Sequence, residues 1–428
     1  MDAAVQTRAV GCDDGARLVP VEAARARLLD GVRPVAGVER VPLAAALGRA
    51  LAVDIAAPLP LPPFDRSAAD GYGVGAVSAG PFRLVGRIVA GGAGPARVGA
   101  GEAVRLLTGA PVPEGVAAVA MSEACVAASG AGDDAAGGAV RLAAAPRPGE
   151  NIRRRGEDAE AGEALLHAGT ALDARHLALL ASAGVAAVPV RRRVRVAVLS
   201  AGDELCPPGE PLGPAGIHDS NRPMLLALLA GAGADTVDLG VFPDDRAAIA
   251  AALRGAAGCD AILASGGVAG SEADHLFGAL REAGGEGAWM PIALKPGKPL
   301  VFGRLGAARC LFLPGNPVAA LVGALLFARP LLAALAGAPT VGPRWLPAVS
   351  EDGWDRSPGR EEFAPARVTG TDAAHRLVVR RLARAGSARL VPLAAADGLL
   401  RVTADSGPVA PGDGLSLLPF AMAGTSGG

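Results

Sequence analysis

Between residues 191 and 340, continuous apolar runs alternate with stretches of helical periodicity. VRVAVLS reads as a buried strand, NRPMLLALLAGAGA as a helix ending at glycine, and DTVDLGVF as a second strand. DDRAAIAAALRGAAG is a helix and CDAILAS a third strand, followed by a helix around 272–284, the runs PLVFGRL and CLFLPG, and a long helix from Asn316. Strand–helix alternation at this spacing predicts a mostly parallel sheet with helices on both faces. In such sheets ligands bind at the carboxyl ends of the strands.

The pattern changes on either side. Residues 1–17 read as a loose tail, and PVEAARARLLDGV as a short helix from about residue 20. Residues 35–60 read as a helix followed by an extended segment ending in PLPLPP. Short Val/Leu/Ile runs in a Gly-rich background (FRLVGRIVA, AVRLL, AVRLAAA) predict a small β domain, with GAGDDAAGG at 130–138 as a loop tip. A helix is expected near 173–184. RLVVRRL, LLRVTAD and LSLLPF predict a small β barrel or sandwich at the end. The expectation is therefore an α/β multidomain chain. A mixed N-terminal domain is drawn from 18–60 and 146–190, a β domain covers 61–145, an α/β domain 191–340 and a β-barrel domain 341–420.

The apolar fraction of 51% suffices for a full core, and aromatics supply only 3% of the chain. A net charge of −1 gives no global field for nucleic acid or an anionic membrane, and neither is expected as a partner. The five cysteines are scattered and odd in number, without zinc-like spacing, which points to reduced thiols and a cytoplasmic setting. MDAAVQTRAVGCDD has no apolar signal region, and the apolar stretch Pro317–Gly337 is broken by Arg329-Pro330, as suits a core helix. Of 41 basic residues only Lys295 and Lys298 are lysines, both in LKPGKP. Asparagine occurs at 151, 221 and 316 only, and tyrosine only at 72. Where arginine has replaced lysine almost everywhere, the lysines that persist are candidates for specific chemistry.

Four loops follow the strands of the α/β region: AGDEL (201–205), PDDR (243–246), SGGVAGSEADH (265–275) and PGNPVAAL (314–321). The turns Ser265-Gly266-Gly267 and Pro314-Gly315-Asn316 offer backbone N–H groups at or near helix starts, which favours phosphate or oxyanion binding. The prolines of LKPGKP hold two ammonium groups near one point, and lysine is a compact charge suited to phosphate or other oxyanion oxygens. Glu204, Asp244, Asp245 and Asp274 are either helix caps or carboxylates that hold Mg²⁺ beside phosphates. The first half carries three polar clusters: PPFDRSAADGYG with Asp65, Asp70 and Tyr72, LLTGAPVPEG with Thr108, and NIRRRGED with Arg153, Arg154, Arg155 and Asp158. No Ser/His/Asp order stands out, so nucleophilic catalysis is not expected.

PPFDRSAADGYG, TGAPVPEG, NIRRRGED, SAGDEL, DSNR, PDD, SGGVAGSEADH, KPGKP and LPGNPVAAL, in this order and spacing, resemble the molybdopterin molybdenumtransferases, the MoeA proteins, similar to the E domain of gephyrin. The resemblance covers roughly residues 18 to 420. It implies a four-domain subunit, an elongated homodimer and a MogA-like α/β domain. The implied reaction takes molybdopterin-AMP and molybdate, releases AMP and leaves molybdenum on the dithiolene, with Mg²⁺ as metal. The implied cleft lies between the α/β domain and the dimer partner's β domain. Implied partners are a MogA-type adenylyltransferase and molybdoenzyme maturation proteins.

Carried over by position, the resemblance assigns Asp70, Thr108, Glu204, Asp244, Asp274, Lys295 and Lys298 to the reaction, with Glu204, Asp244 and Asp274 as metal ligands. Asp158 matches the acidic end of NIRRRGED, and Ser387 matches a serine implicated in the molybdate site. Three departures stand out. SGGV is followed by Ala269, Gly270 and Ser271 in place of Ser-Val-Gly or similar. A lysine often found before KPGKP is missing from AWMPIAL. An arginine often found after the GR-x-x-F pattern is replaced by Pro365 in GREEFAPAR, with Arg360 and Arg367 as candidate substitutes. One charge-assisted hydrogen bond, roughly 1.5–3 kcal/mol, is at stake there. The competing reading is a diverged non-catalytic paralogue that binds or carries molybdopterin or the molybdenum cofactor.

Overall fold

The structure, a computed structural model, describes residues 18–129, 137–268, 275–340, 342–382 and 388–420. The N-terminal tail, most of the 130–138 loop tip, Ala269, Gly270, Ser271, Asp274 and Ser387 lie outside the described residues. Packing divides the chain into two units. One is Arg40–Leu47 with Val53–Pro189. The other is made of the described parts of Met1–Glu39, Gly48–Ala52 and Val190–Gly428.

The second unit is built on a six-stranded sheet. Its elements in chain order are β1 (Arg195–Ala201), α1 (Asn221–Gly231), β2 (Asp235–Phe242), α2 (Arg246–Gly255), β3 (Ala261–Ser265), α3 (His275–Glu282), β4 (Glu286–Pro291), β5 (Pro299–Leu305), β6 (Ala308–Leu313) and α4 (Pro317–Gly323). The strand order is β2-β1-β3-β6-β5-β4. The first four run parallel, as the strand–helix alternation predicts. β5 and β6 instead form an antiparallel hairpin, and β4 adds antiparallel at the edge. No crossover helix separates PLVFGRL from CLFLPG, so the chain can only turn back at Gly306.

Alternate strand residues serve opposite faces. Val196, Val198, Leu263, Leu311 and Leu313 pack against α1, the long C-terminal helix and the helix Val21–Leu29. Ala197, Leu199, Ile262, Ala264, Cys310 and Phe312 pack against α2 and α3. The stretch Pro317–Ala336 is long and apolar enough to cross a membrane, but most of it is buried in this core. It runs through a π-helical turn at Ala324–Ala328 and stops at Gly337, whose φ of 72° is a left-handed cap.

Five further strands of this unit close on themselves as a barrel: Leu346–Ser350, Glu361–Thr371, Leu377–Arg381, Gly398–Val402 and Gly414–Pro419. The barrel joins the α/β domain through Leu294–Lys295, which pairs in parallel with Glu361–Glu362.

The first unit holds a six-stranded sheet in the order Ala118–Met121, Gly71–Val74, Glu102–Leu106, Phe82–Ile88, Ala139–Leu142 and Cys125–Ser129. Its helix Ala174–Ser182 is capped by Asp173 in a reciprocal capping box with His176. The helix expected within 35–60 is not there: only Leu43–Ala45 makes a single 3₁₀ turn. Pro42 precedes it and Gly48, with φ of 73°, follows, too close together for a helix to propagate.

Burial in β6 pushes the Cys310 thiol up to about 12, whereas Cys206 is partly exposed. In native protein at pH 8, iodoacetamide should modify Cys206 and leave Cys310 intact until denaturant is added, as read by peptide mass spectrometry. Equal native labelling of both would contradict the position of β6 within the sheet.

Candidate functional site

The ends of the parallel strands are held together by one short segment, Asp219 to Arg222, at the start of α1. Asp219 is 2% exposed and accepts hydrogen bonds from Ser200 Oγ at the end of β1 (3.0 Å) and from the backbone N–H groups of Asn221 (3.1 Å) and Arg222 (3.2 Å). Asn221 Nδ2 donates to Ser265 Oγ at the end of β3 (2.8 Å) and to the Gly315 carbonyl beyond β6 (2.6 Å). Ser265 Oγ in turn donates to the Pro314 carbonyl at 3.0 Å. Arg222 donates to Asp219 at 3.0 Å and pairs with Asp238 of β2. All four parallel strands are thus tied through four consecutive residues.

This network positions the two turns. Gly266 has φ of 100°, and a Cβ there would sit 1.9 Å from the Ala201 carbonyl oxygen, so only glycine fits. Its N–H donates to the Leu313 carbonyl at 3.3 Å, and Gly267 follows with φ of 53°. Gly315 lies against Gly266. Asn316 caps α4 without a side-chain hydrogen bond, which leaves the helix start open to an anion. The two turns therefore meet at the strand ends. Ser265, expected to face a ligand, has its hydroxyl buried within the tie.

The acidic residues divide by role. Asp245 caps α2, accepting from Ala247 N at 2.8 Å and Ala248 N at 3.3 Å. Asp244 is not a cap. Its Oδ1 is buried with no hydrogen-bond partner among the described residues, while its N–H donates to Asp203 Oδ1 at 2.9 Å. Glu204 is exposed and folds against Gly202. Among the described residues no group of three His, Cys, Asp or Glu side chains is arranged to hold a metal by itself.

KPGKP packs on the first turn of α4, where Gly297 approaches Ala319. Lys295 is half-exposed and reaches Glu362 of the barrel at 3.4 Å. Lys298 is half-buried directly before β5, and its carbonyl accepts from Ile292 N–H at 2.9 Å.

In the first unit the three polar clusters converge. Ile152–Arg153 pairs antiparallel with Arg66–Ser67, and Gly109 N–H donates to the Ser67 carbonyl at 2.8 Å. Asp70 Oδ1 accepts from both the backbone N–H and the hydroxyl of Thr108, each at 2.7 Å. The Thr108 hydroxyl, followed by its N–H, holds the Asp70 carboxyl below the usual range. Arg105 stacks over Tyr72, 4.8 Å from the ring centroid, and donates to Ser122 Oγ. Burial alone would raise Asp65, but the Arg155 N–H and the Arg154 guanidinium outweigh it and keep it low. Asp158 receives both its bonds from Arg153, at 2.7 and 2.8 Å. The arginine run is therefore ion-paired at Arg153 and Arg154 rather than simply solvated.

Sequence reasoning did not single out Asp219, Asn221 or Arg222 as individual site residues, although DSNR was visible as a motif and Asn221 is one of only three asparagines. Glu362 and Arg356, at the KPGKP side, carried no sequence signal beyond lying near GREEF.

Two outcomes are expected. Asn221→Ala removes the donor to Ser265 and Gly315 in a buried place, and should cost about 1–3 kcal/mol in urea unfolding; a wild-type midpoint would show that the tie is not made. A lowered native carboxyl pKa contributes stability above the unfolded value and loses it as pH falls through the folded one. Carboxyl NMR should accordingly show Asp70 titrating below ordinary aspartates in wild type and moving up in Thr108→Ala. An unmoved Asp70 would refute the pairing.

Three family models match in sequence: the MoeA N-terminal region (domain I and II) over residues 19–184, a "Probable molybdopterin binding domain" over 197–334, and the MoeA C-terminal region (domain IV) over 347–420. A molybdopterin molybdenumtransferase of Haemophilus influenzae is 37% identical, covering 75% of this chain and 78% of its own length. Molybdopterin molybdenumtransferase 2 of Mycobacterium tuberculosis is 38% identical over 73% and 78%. The crystal structure of the molybdopterin biosynthesis MoeA protein of Pyrococcus horikoshii OT3 superposes with a TM-score of 0.76 at 28% identity, covering 94% of this chain and all of that one. With its α/β core, closed barrel and strand-end site, the chain belongs to the MoeA family of molybdopterin molybdenumtransferases, enzymes of molybdenum cofactor biosynthesis.

Proposed function

We propose that this chain inserts molybdate into adenylated molybdopterin with release of AMP, that it does so with Mg²⁺, and that it works as a cytoplasmic homodimer supplied by a MogA-type adenylyltransferase. The observation that carries this reading is the tied set of strand ends. It brings a glycine turn and a helix start with no side-chain cap bond together at the carboxyl end of the sheet, where Asp244, after β2, adds a buried carboxylate oxygen with no partner among the described residues.

The residues support distinct tasks. The turn after Ser265 and the open N-terminus of α4 provide backbone donors and a positive dipole end for phosphate oxygens. Asp244, whose Oδ1 has no partner among the described residues, and the exposed Glu204 are the carboxylates that would hold Mg²⁺, with substrate phosphates completing its shell. Bound there, the metal would neutralise charge on the phosphoanhydride. The KPGKP segment that carries Lys295 and Lys298 packs on the first turn of this helix through Gly297, and the two lysines are its cationic charge. Positioning rather than a covalent enzyme intermediate is the catalytic device. Asp70 with Thr108, and Asp158 with Arg153, form the pre-set polar surface of the first unit, which the proposed dimer would present to a partner's strand ends.

The test is AMP release from molybdopterin-AMP, dependent on added molybdate. Lys298→Ala and Asp244→Ala should each lower the rate at least about tenfold, and chelation of Mg²⁺ should abolish it. Wild-type rates in both variants would overturn the assigned roles. Complementation of an insertase-deficient strain separates catalyst from carrier: stable protein that fails to restore molybdoenzyme activity would favour a non-catalytic molybdopterin binder.

A further inference from the structure

The end of the sheet away from the glycine turns carries an open cavity of about 550 Å³, beside the edge strand β4. Arg309 lies at the start of β6, about 13 Å along the strand from Leu313 and the turn that follows it. Four guanidinium groups line the cavity, each from a different element: Arg27 of the helix Val21–Leu29, Arg281 of α3, Arg304 of β5 and Arg309 of β6. Among the described residues Glu286 of β4 is the one carboxylate in the wall, and it pairs with Arg304. The other three arginines are held by contacts that leave their charge unmatched. Arg27 Nη1 donates to Met290 Sδ at 3.6 Å, Arg281 stacks 4.6 Å from the Phe277 ring centroid, and Arg309 Nη2 donates to the Asp30 carbonyl at 3.2 Å. Among the described residues none of these three pairs with a carboxylate. The apolar part of the wall comes from the sheet core: Leu28 and Phe302 are 4% and 8% exposed, and Phe302 packs on Phe327.

Like charges gathered in one recess repel, so three unmatched guanidinium groups raise the energy of the empty cavity, and an anion lying among them lowers it. Arg27 and Arg281 are exposed, so packing of the core does not account for their charge. The planar fork of guanidinium matches phosphoryl oxygens, and contacts to sulfur, ring and carbonyl hold these forks in place before a ligand arrives. Size decides among anions. The cavity falls in the range of small-molecule sites and far exceeds a single inorganic ion, and its apolar wall suits an organic body. We propose that this cavity binds a small organic ligand carrying two or more phosphoryl charges, the chemistry of a nucleoside polyphosphate, at a place separate from the strand-end site. Arg27, Arg281 and Arg309 take the phosphoryl oxygens, and the organic group lies against Leu28 and Phe302.

The experiment is calorimetric titration of the full chain with ATP, sodium pyrophosphate and sodium citrate, without added divalent metal. Wild type is compared with Arg27→Ala, Arg281→Ala, the double variant of both, Arg281→Lys, and Lys298→Ala at the other end of the sheet, each checked by thermal melt. Wild type should bind ATP more tightly than pyrophosphate, and citrate more weakly than either. Arg27→Ala and Arg281→Ala should each weaken ATP binding about tenfold, Arg281→Lys should recover part of it, and Lys298→Ala should retain it. Wild type without affinity for ATP overturns the proposal, as does a folded double variant that binds ATP as wild type does. Binding lost in Lys298→Ala and kept in the double variant puts the nucleotide at the strand ends and overturns it as well. Citrate binding as tightly as ATP overturns the phosphoryl class, and pyrophosphate doing so overturns the organic body.

Discussion

The carboxamide of Asn221 is the bond on which the strand-end site depends. Parallel strands leave their carboxyl ends without a shared turn, so loops leaving β1, β3 and β6 have no local reason to stay together. A single side chain supplies that reason by donating to Ser265 and to Gly315 at once. Asp219 fixes the backbone from which Asn221 projects and adds β1, and Arg222 adds β2. Because these groups are buried, an unmade bond would leave a desolvated donor, which makes the arrangement close to all-or-none. The turns after Ser265 and Leu313 are therefore shaped in advance, a rigidity that the phosphate site proposed for their backbone donors would require.

The alternation of apolar runs with helical periodicity was enough to read four parallel strands, α1, α2 and the long C-terminal helix, since each is long and strongly patterned. Edge and barrel strands were less legible. β4 is half-exposed and mixes Trp289 and Met290 with glycine and glutamate, so no period emerges. Glu361–Thr371, the eleven-residue barrel strand, carries a proline and a charged start. Pro365 sits at the limit of the ladder with Leu377–Arg381, which begins at Ala366, so proline costs less there than inside that ladder. The helix expected in 35–60 is absent because Pro42 and Gly48 lie too close together for it to propagate. At the site, glycine turns and lysines announced themselves by type. Asn221, Asp219 and Glu362 act through tertiary partners 19 to 94 residues away, and spacing along a chain cannot show that.

The first unit follows a different logic from the second. Its polar residues sit on short strands and turns, and they are held by one another: Asp70 by Thr108, Asp65 by Arg154 and Arg155, Asp158 by Arg153. The ion pairs among these, Asp65 with Arg154 and Asp158 with Arg153, add little stability where they are exposed. Together these contacts hold the carboxylates in one orientation, and those on Asp70 and Asp65 also favour their ionised form. Three motifs separated by up to about ninety residues converge through main-chain pairing, so the polar surface is a consequence of the β fold rather than of a flexible loop.

The scarcity of lysine gains meaning at Glu362. That carboxylate is already approached by two guanidinium groups, from Arg356 and Arg381. A third planar fork at position 295 would compete with Arg356 for Oε2 along fixed directions, and its remaining donors would be locked in the same plane. An ammonium carries three rotatable donors on a flexible stem, so Lys295 can keep one on Glu362 and direct others elsewhere. The same chain that uses arginine at 39 of its 41 basic positions retains lysine where a cation must serve a buried anchor and an exposed face together. On this argument a Lys295→Arg change is not conservative: charge is preserved, but the geometry that frees donors toward solvent is not.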